Sequence, residues 1–358
     1  MIRKTAIATL LAAWVATSAV AHAAPATQVY DWLKQQQGPH GILGNQDHDA
    51  FAGLYPNALA AMCFLHQGDI AQAEKIYDYY NSHFKEQFAP GAPGGFPQAA
   101  NADSGELLLD TDRWIGDNAW LLISLNYYKS KTKSTKYDEM RHAIGQWLVS
   151  LQDEGGGIKA GFNKAGPMTH YSTEGNLDCS VALVDFPEAR QKVIKFLTTD
   201  MYVPSGPHFK MGSTVSEPSL DTCSWAVQAL GAKYAPVLKT ADARFRMTDT
   251  SEANHQPIDA FADFVEKKHV WLEGTGEMAV AYNVAGRTDD AKRLIGELEK
   301  AMIPSVAHPG TVGIPCSTTD PAWKGATTLP FTPSQAWYLC ATWNFNPMAS
   351  VTEESHDH

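Results

Sequence analysis

Apolar helical runs begin near Phe51, Asp117, Gly175, Leu220, Gly274 and Pro333, a repeat of roughly 45 to 70 residues. Charged, one-faced helical segments follow five of them: Asp69–Gln87, Tyr137–Gln152, Pro187–Thr199, Lys233–Arg246 and Asp289–Met302. Residues Thr27–Gln37, with Val29, Trp32 and Leu33 on one stripe, supply a sixth partner at the front. A helix apolar on every side is stable only when surrounded, whereas a one-faced helix belongs outside. The alternation therefore predicts six inner helices ringed by six outer ones, with the N-terminal helix beside the last inner helix. Strand-like alternation is scarce, so small hairpins are the most expected. Pro257–Lys267 reads as a further short helix, and Thr332-Pro-Ser-Gln335 as a capping box opening the last inner helix.

Residues 1–23 carry the pattern of a secretory signal peptide. Arg3 and Lys4 precede an apolar run from Ala6 to Val20, and Ala21-His-Ala23 is a small-x-small cleavage site. Export to the periplasm or the cell exterior is the expectation, with one domain over 24–348 and a loose tail over 349–358. Loss of Arg3 and Lys4 takes the net charge of −11 two units further negative. No basic stripe offsets it, which excludes nucleic acid and anionic membrane as expected partners. A monomer is expected. Ten Trp and thirteen Tyr in an acidic chain fit a carbohydrate better. The five cysteines form an odd set within apolar patterns; Cys179 and Cys223 are the pair considered for a disulfide in an oxidising compartment.

Acids gather where inner helices begin. Tyr171-Ser-Thr-Glu174-Gly-Asn-Leu-Asp178 places two carboxylates four apart, on one helix face. Trp271-Leu-Glu273-Gly-Thr-Gly-Glu277 repeats the design, and Trp114-Ile-Gly-Asp117-Asn-Ala-Trp120 is a looser version. The pattern predicts a shared acidic mouth at one end of the ring.

The layout resembles the (α/α)6 toroid, an all-α fold of many glycoside hydrolases and some polysaccharide lyases, over nearly the whole chain after residue 23. Gly116-Asp117-Asn-Ala-Trp120 is similar to the Asp-Asp-Asn-Ala-Trp stretch of family 76 α-mannanases, which supplies two catalytic aspartates there. Here Gly116 replaces the first of them. Thr173-Glu174-Gly175 resembles the Ser-Glu-Gly of family 8 glycosidases, whose glutamate is the proton donor, without the Gly-Tyr-Gly that follows there. The resemblance implies glycosidic bond cleavage but assigns no family.

That chemistry needs one carboxylic acid to protonate the leaving oxygen and a second carboxylate across the bond. Candidates are Asp49, Asp117, Glu174, Asp178, Asp221, Glu273 and Glu277. A first-turn acid also complements the helix dipole, so capping alone accounts for any single one. Seven at one end of a ring repel one another and call for a function. Glu174 is the expected general acid, desolvated by Tyr171 and the apolar helix, with Asp117 or Glu273 as base. An inverting separation of roughly 6.5–9.5 Å is preferred. Asp49, Trp114, Tyr171, Asp178, Trp271 and Glu277 are the expected substrate-binding set. Trp120, Trp225 and Trp337 lie inside apolar runs and read as core. His48, Tyr55, His170 and Tyr171 are the residues a lyase would draw on, although lysis of a uronate needs cations that an acidic mouth lacks. A non-catalytic glycan-binding protein is the other alternative. No metal-ligand spacing is recognisable and no cofactor is expected.

Overall fold

The computed structural model describes residues 24–319 and 328–349. The signal-peptide reading of 1–23 and nearly all of the 349–358 tail lie outside them. Among the described residues twelve α-helices alternate between two layers. The inner six are α2 (Leu54–His66), α4 (Ile115–Thr132), α6 (Thr173–Ala182), α8 (Leu220–Leu230), α10 (Leu272–Val284) and α12 (Thr332–Thr342). Each packs on the next, and α12 closes the circle against α2. The outer helices are α1 (Pro25–Gln35), α3 (Ile70–Gln87), α5 (Asp138–Ser150), α7 (Pro187–Phe196), α9 (Pro236–Arg244) and α11 (Thr288–Lys300). Of these, α3, α5, α7, α9 and α11 each lie against the inner helix before them, while α1 packs on α12. This is the (α/α)6 toroid.

Burial explains the layering. In α2 every residue from Leu54 to Leu65 except Tyr55 is buried, whereas α11 buries only Ala291, Leu294, Glu297 and Leu298. Full burial of a large apolar side chain contributes about 1.5–3 kcal/mol. Val29, Trp32 and Leu33 are what hold α1 in place. A carboxylate completes that anchor. Buried Asp47 accepts from Trp32 Nε1 at 2.8 Å, from Ser305 Oγ at 2.9 Å, and from the backbone N–H groups of Val306 and Ala307.

Because inner and outer helices alternate in direction, all six inner helices begin at the same end. The residue ahead of each (Gly53, Trp114, Ser172, Ser219, Trp271, Phe331) is extended. Short antiparallel pairs link these segments to their neighbours, including Phe51–Gly53 with Ala99–Asn101 and Arg113–Trp114 with Gly161–Phe162. An amide at the fourth position of four inner helices then grips the loop above. Asn118 accepts from Phe96 N–H at 2.7 Å and donates to the carbonyls of Phe96 and Trp114. Asn57 grips Leu43, Asn176 grips Ile158 and Gln335 grips Ile314 by the same double bond.

Three sequence expectations are corrected. Pro257–Lys267 is not helical: Pro257–Phe261 is a strand paired with Arg246–Thr250, in which Ile258 and Ala260 turn inward. Thr332-Pro-Ser-Gln335 is not a capping box, because Phe331 is the cap residue and Gln335 is committed to Ile314, while Thr332 Oγ1 donates to Gly44. All five cysteines are free buried thiols, so Cys179 and Cys223 are not bridged.

Candidate active site

A cleft of about 480 Å³ opens at the end of the ring where the inner helices start. Its side chains follow a register. The second residues of the six inner helices are Tyr55, Gly116, Glu174, Asp221, Glu273 and Pro333, and all six line it. One turn deeper, the sixth residues are Leu59, Trp120, Asp178, Trp225, Glu277 and Trp337. Positions four apart share a helix face, and three of this deeper set, Trp120, Trp225 and Glu277, line the cleft as well.

The rim is acidic. Glu174 and Asp221 are partly exposed to the cleft, and Glu273 is only 4% exposed. Asp117, third in α4, reaches the same space and accepts from Gln98 Nε2 at 2.9 Å. Gly116 leaves room beside it: a Cβ there would stand 3.0 Å from both Asp178 Oδ2 and the Trp114 indole. The glycines after the two glutamates are equally fixed by contact. A Cβ on Gly175 would strike Ile115, and one on Gly274 the Trp271 ring.

The floor is aromatic. Trp120 lies 5.5 Å from Trp225 and 5.7 Å from Trp337, ring centre to ring centre, and 5.4 Å from Tyr55. Trp337 Nε1 donates to the Tyr55 hydroxyl at 2.6 Å, which donates onward to Glu273 Oε1 at 3.0 Å. Burial and the charge of Glu273 raise the Tyr55 pKa well above its usual value, so the phenol stays protonated.

Burial also dominates the titration of the acids. It raises Asp117 to about 6 against the hydrogen bond from Gln98, and Glu273 to about 8 against those from Tyr55 and Trp271. Burial, then the charges of Asp221, Asp117 and Glu273, push Glu174 well up. Asp178 and Glu277, both fully buried, are raised by burial and then by their acidic neighbours. Asp221 is raised by burial too, although Ser219 Oγ and the Thr222 N–H donate to it. Among the described residues neither oxygen of Asp178 has a hydrogen-bond partner, and Glu277 has one, Ser224 Oγ at 3.0 Å on Oε2.

The structure thus brings Asp117, Glu174, Glu273, Glu277, Trp114 and Trp271 together around the cleft, with Asp178 just beneath. Two residues of the expected set stand elsewhere. Tyr171 turns outward, bonding Asp153 and packing on Phe196, so it does not desolvate Glu174. Asp49 accepts from Phe51 N–H at 2.9 Å and lines a separate surface groove with His48 and His308. His48 and His170 are exposed. Trp120 and Trp225, read from the sequence as core, are buried yet line the cleft. The four-residue offset of Glu174–Asp178 and Glu273–Glu277 marks their positions too, once extended to Gly116–Trp120 and Asp221–Trp225.

No family model and no curated protein sequence matches the chain. Solved structures do match its fold, glycosidases among them. A glycosidase in complex with glucose superposes with a TM-score of 0.68 at 12% identity, covering 89% of this chain and 95% of that one. A novel alpha-amylase from Clostridium perfringens gives 0.63 at 10% identity, covering 89% and 97%. A family 76 glycoside hydrolase from a bovine Bacteroides thetaiotaomicron strain gives 0.57 at 13% identity, covering 88% and 78%. At these identities the likeness is one of fold.

Proposed function

We propose that the protein is an exported glycoside hydrolase that cleaves a poly- or oligosaccharide with inversion, by carboxylate general acid–base catalysis. One observation carries the reading: a single aromatic-floored cleft holds both Glu174, whose pKa burial and acidic neighbours raise well above its ordinary value, and Asp117, which burial raises to about 6 against the hydrogen bond from Gln98. Such divergence assigns the two roles. Glu174 gives its proton to the glycosidic oxygen as the bond to the anomeric carbon breaks. Asp117 takes a proton from the water whose oxygen bonds that carbon from the opposite side. Glu273, held by Tyr55, receives a sugar hydroxyl, and Trp114 and Trp271 offer faces for ring stacking. Similarity of fold to glycosidases supports the reading, and the Arg3–Ala23 pattern supports export.

Lysis fits the cleft poorly. Its described lining contains no Lys, Arg or His, and Tyr55 is held in the protonated form. The test is a polysaccharide panel read for both new reducing ends and unsaturated products, with the anomer followed by NMR. Glu174→Gln should abolish reducing-end release while preserving binding and fold. Near-normal turnover by Glu174→Gln on the responding substrate, or unsaturated products from the wild type, removes the reading.

A further inference from the structure

Five carboxylates line this cleft: Asp117, Glu174, Asp221, Glu273 and Glu277. Glycoside hydrolysis uses two. The surplus is not neutralised by protein, since no cationic side chain is among the described lining residues. Glu277 is the most exacting of the five. It is fully buried on α10, one turn below Glu273, and belongs to the cleft lining; Ser224 Oγ donates to its Oε2, while its Oε1 has no hydrogen-bond donor among the described residues. The same cleft is lined by the aromatic side chains of Tyr55, Trp120, Trp225 and Trp271. A buried carboxylate oxygen that lacks a donor, in a cleft lined by aromatic rings and further acids, suits an ammonium group: rings attract a cation and a carboxylate pairs with it.

We infer that the cleft selects sugars bearing a free amine, with Glu277 as the partner of the ammonium, so that the substrate is a glycan containing de-N-acetylated hexosamine. The inference rests on the glycosidase reading and specifies its substrate class. A neutral hexose donates hydroxyls to the rim but brings no charge to Glu277. An N-acetylated sugar replaces the ammonium by an amide and brings none either. Burial raises the pKa of Glu277, and pairing with a cation acts in the opposite direction.

The experiment titrates the full chain with glucosamine, galactosamine and mannosamine, each against glucose, galactose or mannose and against its N-acetyl form, by NMR at pH 7. At least one amine should bind tenfold or more tightly than its neutral parent and its N-acetyl form. In Glu277→Gln that preference should fall below twofold. Should that variant fail to fold, Glu277→Asp, which withdraws the carboxylate by one methylene, should lower the preference at least threefold. A preference under tenfold for all three amines overturns the inference, as does a preference that survives Glu277→Gln. Equal binding of amine and neutral sugars, with Glu174-dependent hydrolysis of a neutral glycan, refutes only the amine inference. Absence of any sugar binding refutes the hydrolase reading as well.

Discussion

Replacing Glu273 by glutamine should make the protein more stable, and increasingly so as pH rises. Glutamine keeps an oxygen to accept the Tyr55 hydroxyl, now 3.0 Å from Glu273 Oε1, but cannot ionise. The native pKa of about 8 lies above the ordinary 4.5. Between those values the folded protein holds a proton that the unfolded chain has lost, so wild-type stability falls as pH increases through the window and levels off above it. From pH 5 to pH 9 the linkage gives a loss of about 4 kcal/mol for this group. That is a ceiling, because removing one carboxylate lets its neighbours ionise more readily. The variant lacks this loss. Urea unfolding of both proteins at pH 5, 7 and 9 measures it: the advantage of Glu273→Gln should be small at pH 5 and grow to more than about 1 kcal/mol by pH 9. Parallel stability profiles would show that burial does not raise the carboxyl, and would undercut the electrostatics assigned to the rim. The same variant should lose activity, since Glu273 is the rim group placed to receive a sugar hydroxyl and glutamine cannot supply its ionisable carboxyl.

Other outcomes follow from particular contacts. Asp47→Ala strips the acceptor from four donors and should destabilise the fold by about 3 kcal/mol in urea titrations; a cost under 1 kcal/mol would mean that α1 is held by its apolar stripe alone. Activity should rise with pH through about 6 as Asp117 ionises, and kcat/KM profiles lacking that acid limb would exclude Asp117 as base. Trp114→Ala should raise KM roughly tenfold with little change in Tm, as expected for loss of a stacking face worth about 1.4 kcal/mol. Tyr171→Phe, which removes only the bond to Asp153, should leave kcat/KM within about twofold of wild type; a larger fall would place Tyr171 in substrate binding after all.

The ring was legible in the sequence because an inner helix leaves no polar face: the runs assigned near Phe51, Gly175, Leu220 and Pro333 start within three residues of where the helices do. The short strand Pro257–Phe261 escaped because five residues of alternation are too few to stand out beside an apolar stretch. Asp117, Glu174 and Glu273 were found because a carboxylate at a helix start faces the axis of the ring. Asp49 and Tyr171 were misplaced because they lie on connecting loops, where sequence spacing says nothing about direction. The tryptophans of the floor were hidden for a different reason. Trp120 and Trp225 are as buried as core residues, and only the axial cleft above them distinguishes a floor from a core.

The amide grips have a consequence for how such a protein can change. Asn57, Asn118, Asn176 and Gln335 each hang one loop from its own helix, through backbone atoms alone. Nothing in that attachment reads the loop's side chains, so the segments between fixed points are free to lengthen, shorten or be exchanged while the ring beneath stays the same. The attachment points themselves should behave as part of the helices: the backbone amides of Leu43, Phe96, Ile158 and Ile314 should exchange with solvent as slowly as the helix interiors, isolated slow sites within faster loops. A scaffold with interchangeable fittings, bolted on at four marked positions, is one whose specificity can be rebuilt loop by loop.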